Sequence, residues 1–321
     1  MRIGFIGLGN VGGQLAGNLL RHGADLTVRD LDPSRVADFV SRGATAAASP
    51  HELATEVDLV ITCLPSPAIC AEVMEAGDGV LSGLGPGKIW LEMSTTDQAE
   101  AKRLGDRVEA LGAFAMDCPV SGGCHRAATG NISIFAGGER STFERVLPVL
   151  AILGQRILHT GPLGSASALK VLTNYLCTVH LAALCEALTV AKVAGFDLNT
   201  AYEAIRISSG NSFVHETESQ VILNGSRDIN FTMDLVIKDV GLFDSIAQSL
   251  NVPLELSPLV LNIFKDGAQR YGAREFSPNI IRRLEDACDV RVLGTGFPAQ
   301  MVDSEPKVPG YEVRPPGSPL N

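Results

Sequence analysis

Aromatic residues make up only 5% of this chain, with a single tryptophan. Its core must therefore be packed with aliphatic side chains and its tight turns made with glycine, of which there are 33. Positive charge is also short. Lysine and arginine number 26 against 36 acidic residues, a formal net charge of −10. That balance leaves no general basic surface for nucleic acid and mainly serves solubility. Long apolar runs are missing. Stretches such as Val57–Leu64 stop well before the ~20 residues of a membrane-spanning helix, and Met1-Arg2-Ile3-Gly4 leads into no apolar leader with a cleavage site. The expectation is a cytoplasmic protein with no nucleic-acid or membrane partner. Paired cysteines are absent too: the seven are odd in number and none stand in C-x-x-C spacing. Reduced, partly buried thiols fit better than disulfides or a zinc site, and no metal is expected. What remains is a chain of 321 residues, 45% hydrophobic and 19% charged. It can build a sizeable core in one large domain or two ordinary ones.

From Arg2 to about His159 short β-branched runs alternate with helical patterns. Ile3–Ile6, Leu26–Val28, Leu59–Leu64, Ile89–Met93 and Ile132–Phe135 read as strands, and Val11–Arg21 and Gln98–Leu111 as helices. Such alternation predicts βαβ units and a parallel sheet covered on both faces.

The first turn reads Gly7-Leu8-Gly9-Asn10-Val11-Gly12 and fits G-x-G-x-x-G. It follows a strand and opens a helix, and Asp30 ends the next strand 18 residues after Gly12. This is the setting of a dinucleotide site. Gly7 permits the tight turn, Gly9 lets the backbone approach a pyrophosphate, and Gly12 lets helix and strand pack closely, with the helix N-terminus toward the phosphates. Asp30 can accept both ribose hydroxyls of an adenosine and repels a 2′-phosphate, which points to NAD. Arg29 and Arg35 keep NADP open, although strand alternation turns Arg29 away from Asp30. Two further turns, Leu64-Pro65-Ser66-Pro67 and Ser94-Thr95-Thr96, fall where strands of such a sheet end and ligands bind. They are either cofactor or substrate contacts, among them Leu64, Pro65 and Thr95, or ordinary loops with Ser94 or Thr96 as a helix cap.

Three later segments belong together: Asp117-Cys118-Pro119-Val120-Ser121-Gly122-Gly123, the run from Gly161 through Lys170 to Asn174, and Lys238-Asp239. With the N-terminal Gly-Phe-Ile-Gly-Leu-Gly-Asn, they resemble the β-hydroxyacid dehydrogenase family over roughly residues 1–290. The resemblance implies an N-terminal Rossmann-type domain (1–162), then an all-α substrate and oligomerisation domain (163–290) opening on a long interdomain helix. It implies NAD(P)-dependent interconversion of a small 3-hydroxy acid and its semialdehyde. It assigns substrate binding to Ser121, Gly122 and Gly123, the catalytic lysine to Lys170 with Asn174 beside it, and a cofactor contact to Lys238. There are departures: Ala166 stands where a glycine is usual, Tyr175 where a second amide is common, and His125 and Arg126 where small residues are usual. The last pair bears on the substrate more than on the reaction.

Read as residues alone, these segments keep their alternatives. A Ser-Gly-Gly turn is either an anion-binding nest of backbone N–H groups or a hinge. His125 and Arg126 either add charge to it or start a solvated helix. Ser165 to Ala194 is nearly free of helix breakers and apolar on most sides, the mark of a helix buried on both flanks. Lys170, in its first turns among Ala168, Leu169, Val171 and Leu172, either snorkels to water or is held for function, and Asn174 shares its face. Apolar neighbours and a positive nicotinamide ring would both lower the lysine's pKa toward that of a general base. Ser208–Ser212 is either a closing loop or a simple helix connection. The helix around Met233–Leu250 is expected to pack on the long one. The last stretch, 291–321, is proline-rich (Pro298, Pro306, Pro309, Pro315, Pro316 and Pro319), hence a disordered tail or an arm on another subunit. A homodimer or homotetramer is expected. The rival readings are an NADPH-dependent aldehyde or keto-acid reductase and a non-catalytic dinucleotide-binding protein.

Overall fold

The computed structural model describes Met1–Gly317; Pro319, counted in the tail, lies outside the described residues. The chain divides into two compact units, Met1–Lys170 with the chain from Ser304 onward, and Val171–Asp303.

The first unit runs β1 (Ile3–Ile6), α1 (Gly12–Arg21), β2 (Leu26–Arg29), α2 (Pro33–Ser41), β3 (Thr45–Ala46), α3 (Pro50–Glu56), β4 (Leu59–Thr62), α4 (Pro67–Glu75), α5 (Val80–Gly83), β5 (Ile89–Glu92), α6 (Gln98–Glu109), β6 (Phe114–Asp117), β7 (Val120–Ser121), α7 (Gly123–Thr129), β8 (Ser133–Gly137), α8 (Arg140–Leu153) and β9 (Arg156–Gly161). From the far end of the chain it gains β10 (Tyr311–Val313). The strands lie in the order β10-β9-β8-β6-β5-β4-β1-β2-β3, with β7 against β8. The run β3-β2-β1-β4-β5-β6 is parallel throughout and has the order of a Rossmann dinucleotide-binding sheet, whose switch point falls beside β1. Side chains alternate between two cores. Leu59 and Ile61 of β4 and Leu91 of β5 enter one, Val60 and Trp90 the other. Both faces are covered, so these strands read as continuous apolar runs.

The second unit is helical. It holds α9 (Ser165–Val193) from Val171 onward and adds α10 (Leu198–Arg206), α11 (Phe213–Asn224), α12 (Met233–Ser249), α13 (Leu256–Tyr271), a 3-10 turn at Ser277–Ile281 and α14 (Arg282–Cys288). Leu181, Leu184, Cys185 and Leu188 of α9 join Val236 and Val240 of α12 and Phe264 of α13 in one core. Tyr175 stacks on Phe243 with ring centroids 4.0 Å apart, so α12 packs on the long helix as expected. Ser212 caps α11, its hydroxyl accepting from the His215 N–H.

Two features depart from expectation. First, α9 is not buried on both flanks: Leu176, Val190 and Val193 are 52%, 68% and 60% exposed. An apolar residue has the same signature whether its cover comes from its own chain or from elsewhere. By length and composition alone α9 is also long and apolar enough to cross a membrane, although polar residues interrupt its apolar run. Second, the described part of the proline-rich tail is ordered on its own chain. Residues 291–303 stay with the second unit, where Asn199 and Asn224 donate to the Thr295 and Phe297 carbonyls, both at 2.8 Å. From Ser304 the chain returns to the first unit. The Asn131 amide donates to the Glu305 carbonyl at 2.7 Å, the Glu305 carboxylate pairs with Arg126 and Arg156, and β10 lies parallel on β9. The prolines flank β10 at Pro309 and Pro315 and leave its backbone donors intact, as an edge strand allows.

Candidate active site

The glycine-rich turn lies directly after β1. Gly7 has a φ of +98°, and a Cβ there would stand 2.3 Å from the Cys63 carbonyl oxygen at the end of β4. A Cβ on Gly12 would stand 2.0 Å from the Gly7 carbonyl oxygen, so only glycine lets α1 start this close. Gly9 is different: the nearest atom a Cβ would meet is Arg35 Nη1, at 3.6 Å. Its bare face is not needed for internal packing and leaves room for a phosphate to approach. Leu8, Asn10 and Val11 complete the turn. The Leu8 N–H donates to Asp30 Oδ2 at 2.6 Å and the Asp32 N–H to Oδ1 at 2.8 Å. The carboxylate is splinted just past β2, yet each oxygen keeps capacity for a further donor. Arg29 does not turn away from this place. Its guanidinium bends back to donate to the Asp30 carbonyl, and Arg29, Asp30 and Pro33 line one open cleft. An uncrowded glycine beside a held carboxylate fits a dinucleotide's pyrophosphate and ribose.

The turns after β4 and β5 are tied together. Ser94 does not cap a helix: its hydroxyl accepts the Leu64 N–H at 2.8 Å, and Asp97 caps α6 instead. Beneath the turns Glu92 is fully buried. It accepts from Thr62 Oγ1 at 2.6 Å, Cys70 Sγ at 2.7 Å and the Ser94 N–H at 2.7 Å. Burial pushes its carboxyl pKa up against these donors. Ser66 caps α4, which sets the chain direction beyond Leu64 and Pro65; Thr95 lies between Ser94 and Thr96.

At the other side of the sheet, Ser121 ends β7, paired with Ser133 of β8. Gly122 and Gly123 follow with φ of +130° and +85°, a backbone course that glycine takes without the strain a side chain would bring. His125 and Arg126 lie in α7. A Cβ on Gly122 would stand 3.1 Å from Arg126 Cδ, while the Arg126 guanidinium reaches Glu305 at 3.3 Å. Just ahead of this segment, at the end of β6, buried Asp117 accepts the Gly164 N–H at 2.8 Å, the Ser167 N–H at 2.6 Å and the Ser167 hydroxyl at 2.7 Å. Burial raises its carboxyl pKa while these donors pull it down.

Lys170 lies one turn beyond Ser167 on α9 and is 7% exposed. Asn174 follows four residues on, one turn along the same helix face. In the second unit the Asn174 Nδ2 donates to Asp239 Oδ2 at 2.6 Å. A carboxylate only accepts, so the amide nitrogen must face it. Lys238 Nζ lies 2.9 Å from Asp239 Oδ1, an ion pair without hydrogen-bond alignment. Sequence reasoning gave no role to Asp117, Glu92 or Asp239. The first two carried a signal, an acid closing an apolar strand (Phe-Ala-Met-Asp and Ile-Trp-Leu-Glu). Among the described residues no group of three or more His, Cys, Asp or Glu side chains is placed to hold a metal ion.

A Rossmann sheet with this turn and a held acid at β2 defines a nicotinamide-dinucleotide oxidoreductase. Comparison with known proteins narrows the class. Residues 2–161 match the family described as the NAD binding domain of 6-phosphogluconate dehydrogenase. Residues 164–284 match the NAD-binding domain of NADP-dependent 3-hydroxyisobutyrate dehydrogenase. The chain is 34% identical to 2-(hydroxymethyl)glutarate dehydrogenase of Eubacterium barkeri, over 92% of this chain and 98% of that protein. It is 32% identical to NAD-dependent L-serine dehydrogenase of Pseudomonas aeruginosa, over 89% and 98%. A crystal structure of 3-hydroxyisobutyrate dehydrogenase from Salmonella typhimurium superposes with a TM-score of 0.80 at 31% identity, covering 88% of this chain and 99% of that one. The chain belongs to the β-hydroxyacid dehydrogenase family, as an oxidoreductase using NAD or NADP.

Proposed function

We propose that this protein interconverts a small 3-hydroxy acid and its semialdehyde with NAD, Lys170 serving as the general acid and base. The observation that carries this is a lysine 7% exposed in the first turns of α9, one turn from a buried anchor and sharing its helix face with Asn174. A lysine amine held in such a place is of the type that exchanges a proton with a reacting hydroxyl. When bound, the dinucleotide supplies the hydride acceptor; Gly7–Gly12, Asp30, Leu64, Pro65, Thr95 and Lys238 would hold it. Ser121, Gly122 and Gly123 bind the substrate carboxylate through their backbone N–H groups. As the alcohol becomes a carbonyl, Lys170 Nζ takes the hydroxyl proton; in reverse it returns that proton to the carbonyl oxygen. Asn174, its amide nitrogen held by Asp239, offers its carbonyl oxygen to the lysine or the hydroxyl.

A second reading, an NADPH-dependent reductase, is favoured by Arg35 beside Gly9 and Arg29 beside Asp30. The exposed apolar residues of α9, Leu176, Val190 and Val193 among them, support a homodimer or homotetramer, and the acidic composition fits a cytoplasmic enzyme. The test is a panel of 3-hydroxyisobutyrate, L-serine and 2-(hydroxymethyl)glutarate with each cofactor, run on wild type and Lys170→Ala. Turnover of at least one acid is expected, with kcat lowered about 100-fold in the variant. Activity of the variant within a few-fold of wild type refutes the lysine's role.

A further inference from the structure

The segment bearing Ser121–Gly123 and the helix bearing Lys170 are separate in sequence, and one side chain joins them. Asp117 closes β6, four residues before Ser121. Its Oδ1 accepts the Gly164 N–H at 2.8 Å, and its Oδ2 accepts both the N–H and the hydroxyl of Ser167, at 2.6 and 2.7 Å. Ser167 stands one turn before Lys170. The carboxylate is sealed on its remaining side, where a Cβ on Gly137 would stand 2.3 Å from Oδ1, and Asp117 is fully buried. No substrate can reach it. A buried carboxylate has water-like surroundings only through its donors, and the three that reach it from outside its own residue, among the described residues, belong to the first turn of α9 or the residue leading into it.

We infer that Asp117 is a positioning residue: it fixes the start of α9 against the strand that leads to the substrate turn, and so sets where Lys170 meets the reacting hydroxyl. The inference rests on the reading of Lys170 as the acid–base group. Asp117→Asn makes the case testable. Both oxygens are in use, so an amide nitrogen there must face one of the donors it replaces an acceptor for, and the helix start must shift. Displacements of about 1 Å at a reacting group cost on the order of 100-fold in rate.

The experiment measures kcat, the Kd for NAD by calorimetry and thermal stability in Asp117→Asn, Ser167→Ala, Lys170→Ala and both double variants with Lys170→Ala. The substrate is the most active hydroxy acid of the panel above. Asp117→Asn should lower kcat about 10- to 100-fold and Ser167→Ala a few-fold, with the Kd for NAD within about twofold. In the Lys170→Ala background neither should lower kcat further, because residues acting through one group are non-additive. Equal losses in both backgrounds, or an Asp117→Asn kcat within twofold of wild type, overturn the inference while leaving Lys170 in its role. Full activity of Lys170→Ala overturns both. Where Asp117→Asn does not fold, the Ser167→Ala pair decides by the same criterion.

Discussion

Glu218 lies on α11 in the core of the helical unit, and its surroundings set up a measurable loss of stability at neutral pH. Its Oε2 has no hydrogen-bond partner among the described residues. Its Oε1 receives only a long contact from the Cys177 thiol, at 3.8 Å. Burial, opposed only weakly by the Cys177 thiol, pushes its pKa up from 4.5 to about 7. The folded state therefore holds a proton that the unfolded chain releases. Between those two values folding binds the extra proton, so stability falls as pH rises through the interval and levels off above it. The gap converts to about 3 kcal/mol at about 1.36 kcal/mol per pH unit, of which about 2.5 kcal/mol lies between about pH 5 and about pH 8. Glu218→Gln keeps the shape and removes the titration. Urea unfolding of both proteins, followed by far-ultraviolet circular dichroism at one protein concentration, gives the stability difference at each pH. Other carboxyls cancel in that difference. The amide brings its own cost of about 1–3 kcal/mol for an unpaired donor, but that cost is constant with pH. Relative to the variant, wild type should lose about 2–3 kcal/mol from about pH 5 to about pH 8. A difference that does not change with pH would show that the carboxyl titrates normally and that the burial argument is wrong.

The remaining predictions concern the site and the assembly. Asp30→Asn removes the charge that opposes a 2′-phosphate, so the preference of kcat/KM for NAD over NADP should shrink by roughly tenfold; a wild type that already favours NADP contradicts the assignment of Asp30. Gly122→Val forces a side chain onto a φ of +130° at a strain of about 1–3 kcal/mol. The substrate KM should rise about tenfold or more with the Kd for NAD nearly unchanged, and equal effects on both constants would move the anion site elsewhere. Light scattering at micromolar concentration should give a dimer or tetramer, and a monomer would leave the exposed residues of α9 without an explanation.

The sheet could be read in sequence where strands are buried on both faces. Ile3–Ile6, Leu59–Thr62 and Ile89–Glu92 are continuous apolar runs, and the turn after β1 carries its glycines at fixed offsets. β6 and β9 are less visible: Phe114–Asp117 has no β-branched residue and Arg156–Gly161 contains Arg156, His159 and Thr160. The helix of Lys170 and Asn174 was plain from its lack of breakers, but not which side of it lacks a cover. Roles for Asp117, Glu92 and Asp239 were hidden for a common reason. Each has a partner far along the chain, Thr62 at 30 residues from Glu92, Ser167 at 50 from Asp117 and Asn174 at 65 from Asp239, and periodicity reports only local order. Whether Arg126 adds charge to the glycine turn or starts a solvated helix stays open in sequence, because its partner Glu305 lies far along the chain.

The small strand Tyr311–Val313 has a bearing on how the molecule is made. It is the edge of the sheet, yet it is synthesised after the whole helical unit, which is thereby an insertion between β9 and β10. Until then β9 emerges from the ribosome with a row of unpaired amides and carbonyls, the kind of edge on which chains mispair. Seating β10 requires closing a loop of roughly 150 residues, a slow, high-contact-order step. The helical unit has the chance to fold before the sheet is completed. Completion of the nucleotide-binding sheet is then a late event, and the arginines that receive Glu305 and Glu312 give the returning segment charged landing points that bias it toward the correct edge.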